Sequence, residues 1–150
     1  MSDERALAER VVRDMLEADA FSRWLGIELL DVAPGSATVR MRVREEMVNG
    51  FGVCHGGVTF ALADSAFAFA CNTHGRVTMS VEGAMSYPVS VAVGDLLTAV
   101  AVEETSAGPL GFHRVTVQRQ DGTTVALFRG TAYRTRRPHR AAEEGENGNA

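Results

Sequence analysis

The stretch at residues 56–75, GGVTFALADSAFAFACNTHG, constrains this chain more than any other. It carries one carboxylate, Asp64, and is otherwise small or apolar on nearly every side. A helix in contact with water keeps a polar face, so a helix of this composition has to be wrapped by the rest of the fold. Gly56–Gly57 start it, and Gly75 is placed to stop it in a left-handed cap. On a helical wheel Gly57, Ala61, Asp64, Ala68 and Cys71 share one stripe, with Phe60 and Phe67 beside it, while Leu62, Ala66 and Phe69 point the other way. The carboxylate therefore stands on a face of small residues, where another backbone, a partner helix or a ligand can come close.

A buried, unpaired carboxylate is costly unless it is neutralised, hydrogen-bonded or used. A structural aspartate bonding the backbone amides of a neighbouring chain is one reading. The glycine pair opens another, because Gly56 and Gly57 put backbone amides at a helix N-terminus with no side chain in the way, which suits an oxyanion. A polarised carbonyl and a buried acid are what acyl transfer to water requires. Gly57 and Asp64 are seven residues apart, roughly 10 Å along one helix. A reacting carbonyl carbon has to lie about 3 Å from both the donor and the attacking group. One helix cannot meet both distances. Two copies running antiparallel across a two-fold axis can, so the spacing predicts a homodimer with two shared sites.

Size and charge narrow the classes. A chain of 150 residues with 45% hydrophobic content is enough for one domain with a proper core. A net charge of −4 argues against nucleic acid or an anionic membrane surface as partner. Cys54 and Cys71 have neither disulfide-framework nor zinc-site spacing and fit a reducing cytoplasm. The first ten residues, MSDERALAER, lack the apolar core of a signal peptide. The apolar stretch is short for a membrane span and holds Asp64, Ser65 and Asn72.

In chain order, residues 3–20 read as an amphipathic helix with Leu7, Val11, Met15 and Ala18 on one face. A connecting segment containing Trp24 follows, and Trp24 is expected to pack inward, the alternative being a lid over a pocket. Residues 27–33 form a strand, Pro34–Gly35 a tight turn, and the alternation of Ala37, Val39, Met41 and Val43 with Thr38, Arg40, Arg42 and Arg44 a second strand with one wet face. Residues 45–51 make an irregular or short helical connection into the glycine pair. Strand patterns return at residues 77–87, 96–105, 111–120 and 123–134, with Asp121–Gly122 as a hairpin turn. These four are expected in meander order. The tail at residues 136–150 has almost no apolar content and is expected to be disordered. The sum is an α+β domain over residues 1–135, an antiparallel sheet of five to six strands curled around one long central helix.

His55–Gly56–Gly57 followed by Leu62–Ala63–Asp64 and Ala70–Cys71–Asn72 closely resembles the hot-dog-fold thioesterases of the PaaI type, the phenylacetate-degradation family. The resemblance runs from residue 20 to 134, through Val93–Gly94–Asp95 and residues 125–130, VALFRG. It implies an acyl-coenzyme A thioesterase that works as a dimer or dimer of dimers with sites at the subunit interface, and that needs no cofactor beyond the coenzyme A of its substrate. Asp64 matches the family's catalytic carboxylate, general base or nucleophile. Gly56 matches the glycine whose amide polarises the thioester carbonyl. Asn49 matches an asparagine that orients water or the thioester, and His55 a histidine that positions the loop. Ser80 falls where some members carry a water-positioning hydroxyl. Gly57, Phe51, Phe60 and Phe67 lie near the motif, and the three rings suit an aryl-acetyl or similar compact acyl group, although phenylalanines on a buried helix are usually core. Many relatives carry an Arg-Pro pair where this chain reads Tyr87–Pro88–Val89–Ser90–Val91.

Other chemistry is less well supported by the residues. Cys54 and His55 are neighbours and rarely point at one another, so a Cys–His nucleophile is not expected. His74, His113 and His139 are scattered and suggest no metal site. The chain lacks the Asn-Pro-x-His and His-Phe-Pro contexts that mark hot-dog dehydratases. A non-catalytic acyl-coenzyme A-binding protein of the same fold is the remaining alternative.

Overall fold

In the computed structural model, which describes residues 1–148, the chain runs α1 (Asp3–Ala18), α2 (Ala20–Leu25), β1 (Glu28–Ala33), β2 (Ser36–Arg42), a 3-10 turn at Glu45–Met47 and the long helix α3 (Gly56–Asn72). Strands β3 (Arg76–Ser86), β4 (Leu96–Ala107), β5 (Leu110–Gln118) and β6 (Thr124–Pro138) follow, then helix α4 (Arg140–Asn147). All strand pairs are antiparallel in a six-stranded sheet of order β1-β2-β4-β5-β6-β3. The period-two pattern decides which face holds the core. Ala37, Val39 and Met41 of β2, Leu97, Ala99 and Ala101 of β4, Val115 and Val117 of β5 and Phe128 of β6 are buried against α3. Leu62, Ala66 and Phe69 of α3 are at most 1% exposed.

The last four strands are not a simple meander. β4, β5 and β6 follow one another, but β3 lies at the far edge beside β6. Two local features send it there. Asn72, 3% exposed, donates to the Thr78 carbonyl at 3.0 Å and accepts from the Thr78 amide at 2.8 Å, so the end of α3 is tied to the start of β3. Gly83 of β3 is also paired with Gly130 of β6. A Cβ on Gly130 would sit 2.8 Å from Phe67 and one on Gly83 would sit 3.0 Å from Phe128, so two glycines meet where the aromatic rings lie on the sheet. Hydropathy carries no trace of that pairing.

Three further expectations need correction. The connecting segment after α1 is itself a helix, α2, whose Asp19 cap accepts from the Ser22 amide and hydroxyl at 2.9 and 2.6 Å. Trp24 does not pack inward: it is 64% exposed, stacked on Phe21 with the Arg44 guanidinium over its ring. The tail is ordered well past residue 136. The His139 ring lies 2.7 Å from the Asn72 side-chain oxygen, its amide donates to Gly75, and Ala141 of α4 is buried. Residues 149 and 150 of the expected disordered segment lie outside the described residues.

Candidate active site

The loop before α3 folds back on itself through Asn49. Its amide donates to the Val53 carbonyl at 2.8 Å, and its side-chain oxygen accepts from the Phe51 and Val53 amides at 2.9 and 3.4 Å. This Asx turn leaves Phe51 at the tip, 93% exposed. Cys54 then donates its amide to Val91 and His55 to Met47, which seats the chain for entry into the helix. His55 is the N-cap of α3, and its Nδ1 accepts from the Gly57 amide at 2.9 Å. A neutral ring bonded in this way carries its proton on Nε2.

The two glycine amides therefore differ. The Gly57 N–H is spent on the His55 cap, and the Gly56 N–H has no acceptor among the described residues. It is the donor left for a ligand oxygen. Val53, Cys54 and Gly56 also border a cavity of about 260 Å³, walled further by Thr59, Tyr87, Val91 and Val125. Of the larger hollows, three are open grooves along α1 and one lies on the sheet between Glu82, Phe112, His113 and Arg129; none touches this end of α3.

Asp64 stands at the middle of the same helix. The sheet and the helices α1 and α2 cover most of α3, and the strip they leave partly open is Gly57, Ala61, Asp64 and Ala68 with Phe60 beside it. Cys71, the last member of the expected stripe, is buried at 3% and its thiol is pushed up to about 12, mainly by burial. Burial, and secondarily the Asp19 carboxylate, raise the Asp64 pKa above its ordinary value, with no hydrogen bond among the described residues to offset them. Beside it a buried bond of 2.8 Å joins the Ser22 and Ser65 hydroxyls and seats α2 on α3. The sequence did not point to this Asp19–Ser22–Ser65 chain, since none of the three residues forms a motif.

The other predicted site residues separate into groups. Phe60 is half-buried, edge-on to Phe128 at 5.4 Å between centroids. Phe67 is fully buried between Phe128 and His113, so its ring belongs to the core. Ser80 is exposed on β3, opposite Ala132 of β6. Tyr87 was missed: its hydroxyl donates to the Gly56 carbonyl at 2.9 Å. A tyrosine ending a strand just before Pro88 was the only available hint.

At the opposite end of α3, His74 lies 2.8 Å from the Glu103 carboxylate and the buried His113 ring 3.9 Å from it. The histidines that are scattered in sequence thus partly converge. Among the described residues no group of His, Cys, Asp or Glu is arranged to hold a metal ion.

Gly56 and Asp64 lie on one continuous helix, eight residues apart, or about 12 Å along its axis. One protomer does not bring them to a common point.

The thioesterase superfamily profile matches residues 51–126, which include both groups. The chain belongs to the thioesterase superfamily. Within that family it is 38% identical over 120 residues to the acyl-coenzyme A thioesterase PaaI of Escherichia coli strain K12, covering 80% of this chain and 86% of that one. It is 32% identical over 127 residues to human acyl-coenzyme A thioesterase 13, covering 82% and 91%. The solved structure of the E. coli PaaI protein from the phenylacetic acid degradation operon superposes with a TM-score of 0.87 at 35% identity, covering 89% of this chain and 97% of that one. The six-stranded antiparallel sheet packed on one long helix is the hot-dog fold of these thioesterases.

Proposed function

We propose that the protein hydrolyses an acyl-coenzyme A thioester of a compact acyl group, such as an aryl-acetyl group, to the free acid and coenzyme A, at two sites shared across a homodimer. One observation carries the proposal: the unspent glycine amide at the start of α3 and the one carboxylate of that helix both lie free of hydrogen bonds among the described residues. In this reading the thioester oxygen accepts from the Gly56 N–H, and Asp64 of the partner subunit drives the attack. Either Asp64 takes a proton as water adds to the carbonyl, or it adds first and water releases the acyl group. In both routes the C–S bond breaks, and the thiolate leaves and is protonated. His55 holds the Gly57 amide in the cap, Asn49 keeps the loop closed, and Phe60 lines the approach. The relatives named as acyl-coenzyme A thioesterases support the substrate class.

The dimer reading draws support from β3 as well. It is an edge strand exposed along most of its length, with Met79 and Val81 58% and 59% exposed. A long unpaired edge of this kind is a template for pairing with another chain. Two buried free thiols, Cys54 and Cys71, accord with a cytoplasmic setting.

The test is release of free thiol over a panel of acyl-coenzyme A substrates, with Asp64→Asn as control. Turnover of at least one acyl-coenzyme A that the variant abolishes is the expected result. A folded protein that binds these substrates and releases no thiol would favour a binding role in its place.

A further inference from the structure

The donor assigned above is the most deformable kind of backbone, since Gly56 and Gly57 have no side chains to restrict them. An oxyanion donor contributes only when it is held in place before the charge develops. The Gly56–Gly57 peptide is held at both of its polar ends. Its N–H, which belongs to Gly57, donates to the His55 ring at 2.9 Å, and its C=O, which belongs to Gly56, accepts from the Tyr87 hydroxyl at 2.9 Å. The two partners come from different elements: His55 from the loop entering α3, Tyr87 from the residue just after β3. The Tyr87 ring also lies flush against the glycine, since a Cβ there would be 3.3 Å from Cζ and from the hydroxyl oxygen.

We infer that Tyr87 is a positioning residue for this reaction, clamping the Gly56–Gly57 peptide so that the Gly56 N–H keeps its aim at the thioester oxygen. The inference rests on the thioester-hydrolase reading above. With its C=O accepting a hydrogen bond, the peptide is polarised and its N–H becomes a stronger donor to His55, so the two clamps reinforce one another. Burial raises the Tyr87 pKa above its ordinary 10, which keeps the phenol protonated and able to donate at neutral pH. Tyr87 is half exposed, and its ring walls the cavity beside Gly56, so removing the hydroxyl alone leaves both packing and cavity shape in place.

Tyr87→Phe is the test, read in two ways on the intact protein. Steady-state kinetics on the best acyl-coenzyme A should show kcat down about 10- to 100-fold, the scale of a misplaced catalytic group, with KM and the thermal midpoint nearly unchanged. Nitrogen-15 spectra should show the Gly56 and Gly57 amide resonances shifted and the Gly57 amide exchanging faster with solvent. Unchanged glycine resonances would overturn the clamp whatever the kinetics. Shifted resonances with unchanged kcat, or a change confined to KM, would overturn its role in turnover. A wild-type protein without thioesterase activity would instead sink the hydrolase reading, and the spectra would then judge the clamp alone.

Discussion

Gly130→Ala tests whether the aromatic packing under α3 is as tight as the distances say. The added Cβ would stand 2.8 Å from Cζ and 2.9 Å from Cε1 of Phe67, and 2.9 Å from Phe128. Relaxed carbon contacts are about 3.5–4.0 Å, so three contacts are short at once. Neither ring has room to retreat: Phe67 and Phe128 are both 0% exposed, and Phe67 is backed by the His113 ring at 5.2 Å. Overpacking of this kind costs about 1–3 kcal/mol. For a domain of this size each kcal/mol is worth about 2–4 °C, which puts the loss of thermal midpoint at about 2–12 °C. Gly83→Ala is the matched control, with its Cβ 3.0 Å from Phe128, but on the edge strand β3, which can give way. Thermal and urea unfolding of the two variants should place Gly130→Ala well below Gly83→Ala, and Phe67→Leu should recover part of the Gly130→Ala loss in a double variant. A Gly130→Ala protein as stable as wild type would refute the packing argument.

Asp64→Asn should stay folded and lose turnover by at least about 10²-fold, measured as thiol release. Because burial raises the Asp64 pKa, the acid limb of kcat/KM against pH should fall above 3.8, the ordinary aspartate value. His113 supplies a stability prediction with a definite sign. Burial holds its pKa below the ordinary 6.5. The unfolded chain therefore takes up its proton first, and the stability present above pH 6.5 is lost as pH falls from there through the folded value. Urea midpoints of wild type should drop across that window, and those of His113→Phe should drop less.

The parts of the fold that were legible in the sequence are those set by local periodicity. The apolar run of α3, the alternation in β2 and the turn at Asp121–Gly122 each announced an element whose bounds hold to within a few residues. What was not legible depends on contacts between distant residues. The place of β3 beside β6 is set by Asn72 on Thr78 and by the facing Gly83 and Gly130, and neither pairing leaves a periodic signal. The tail looked too polar to order, yet His139 on Asn72 and Ala141 anchor it. Of the proposed site, the HGG motif and Asp64 stand out in the sequence because their chemistry is rare on an apolar helix. Which glycine amide remains free was not, because that depends on the direction of the His55 ring.

The central claim is that the two reacting groups come from different copies of the chain, and complementation of two inactive variants tests it most directly. Gly56→Pro deletes the donor N–H at the first position of α3, where the helix backbone accepts proline and only the half-exposed Tyr87 ring, 3.3 Å from an added Cβ, has to give. His55 before it already has the extended backbone that proline demands, φ −63° and ψ 133°. Gly56→Pro and Asp64→Asn chains should each be inactive alone. When they are unfolded and refolded together in equal amounts, half of the dimers are hybrids with one intact site of two, so the account predicts about a quarter of wild-type thiol release. Activity that stays at the level of the separate variants, with hybrid dimers demonstrably formed, would contradict it.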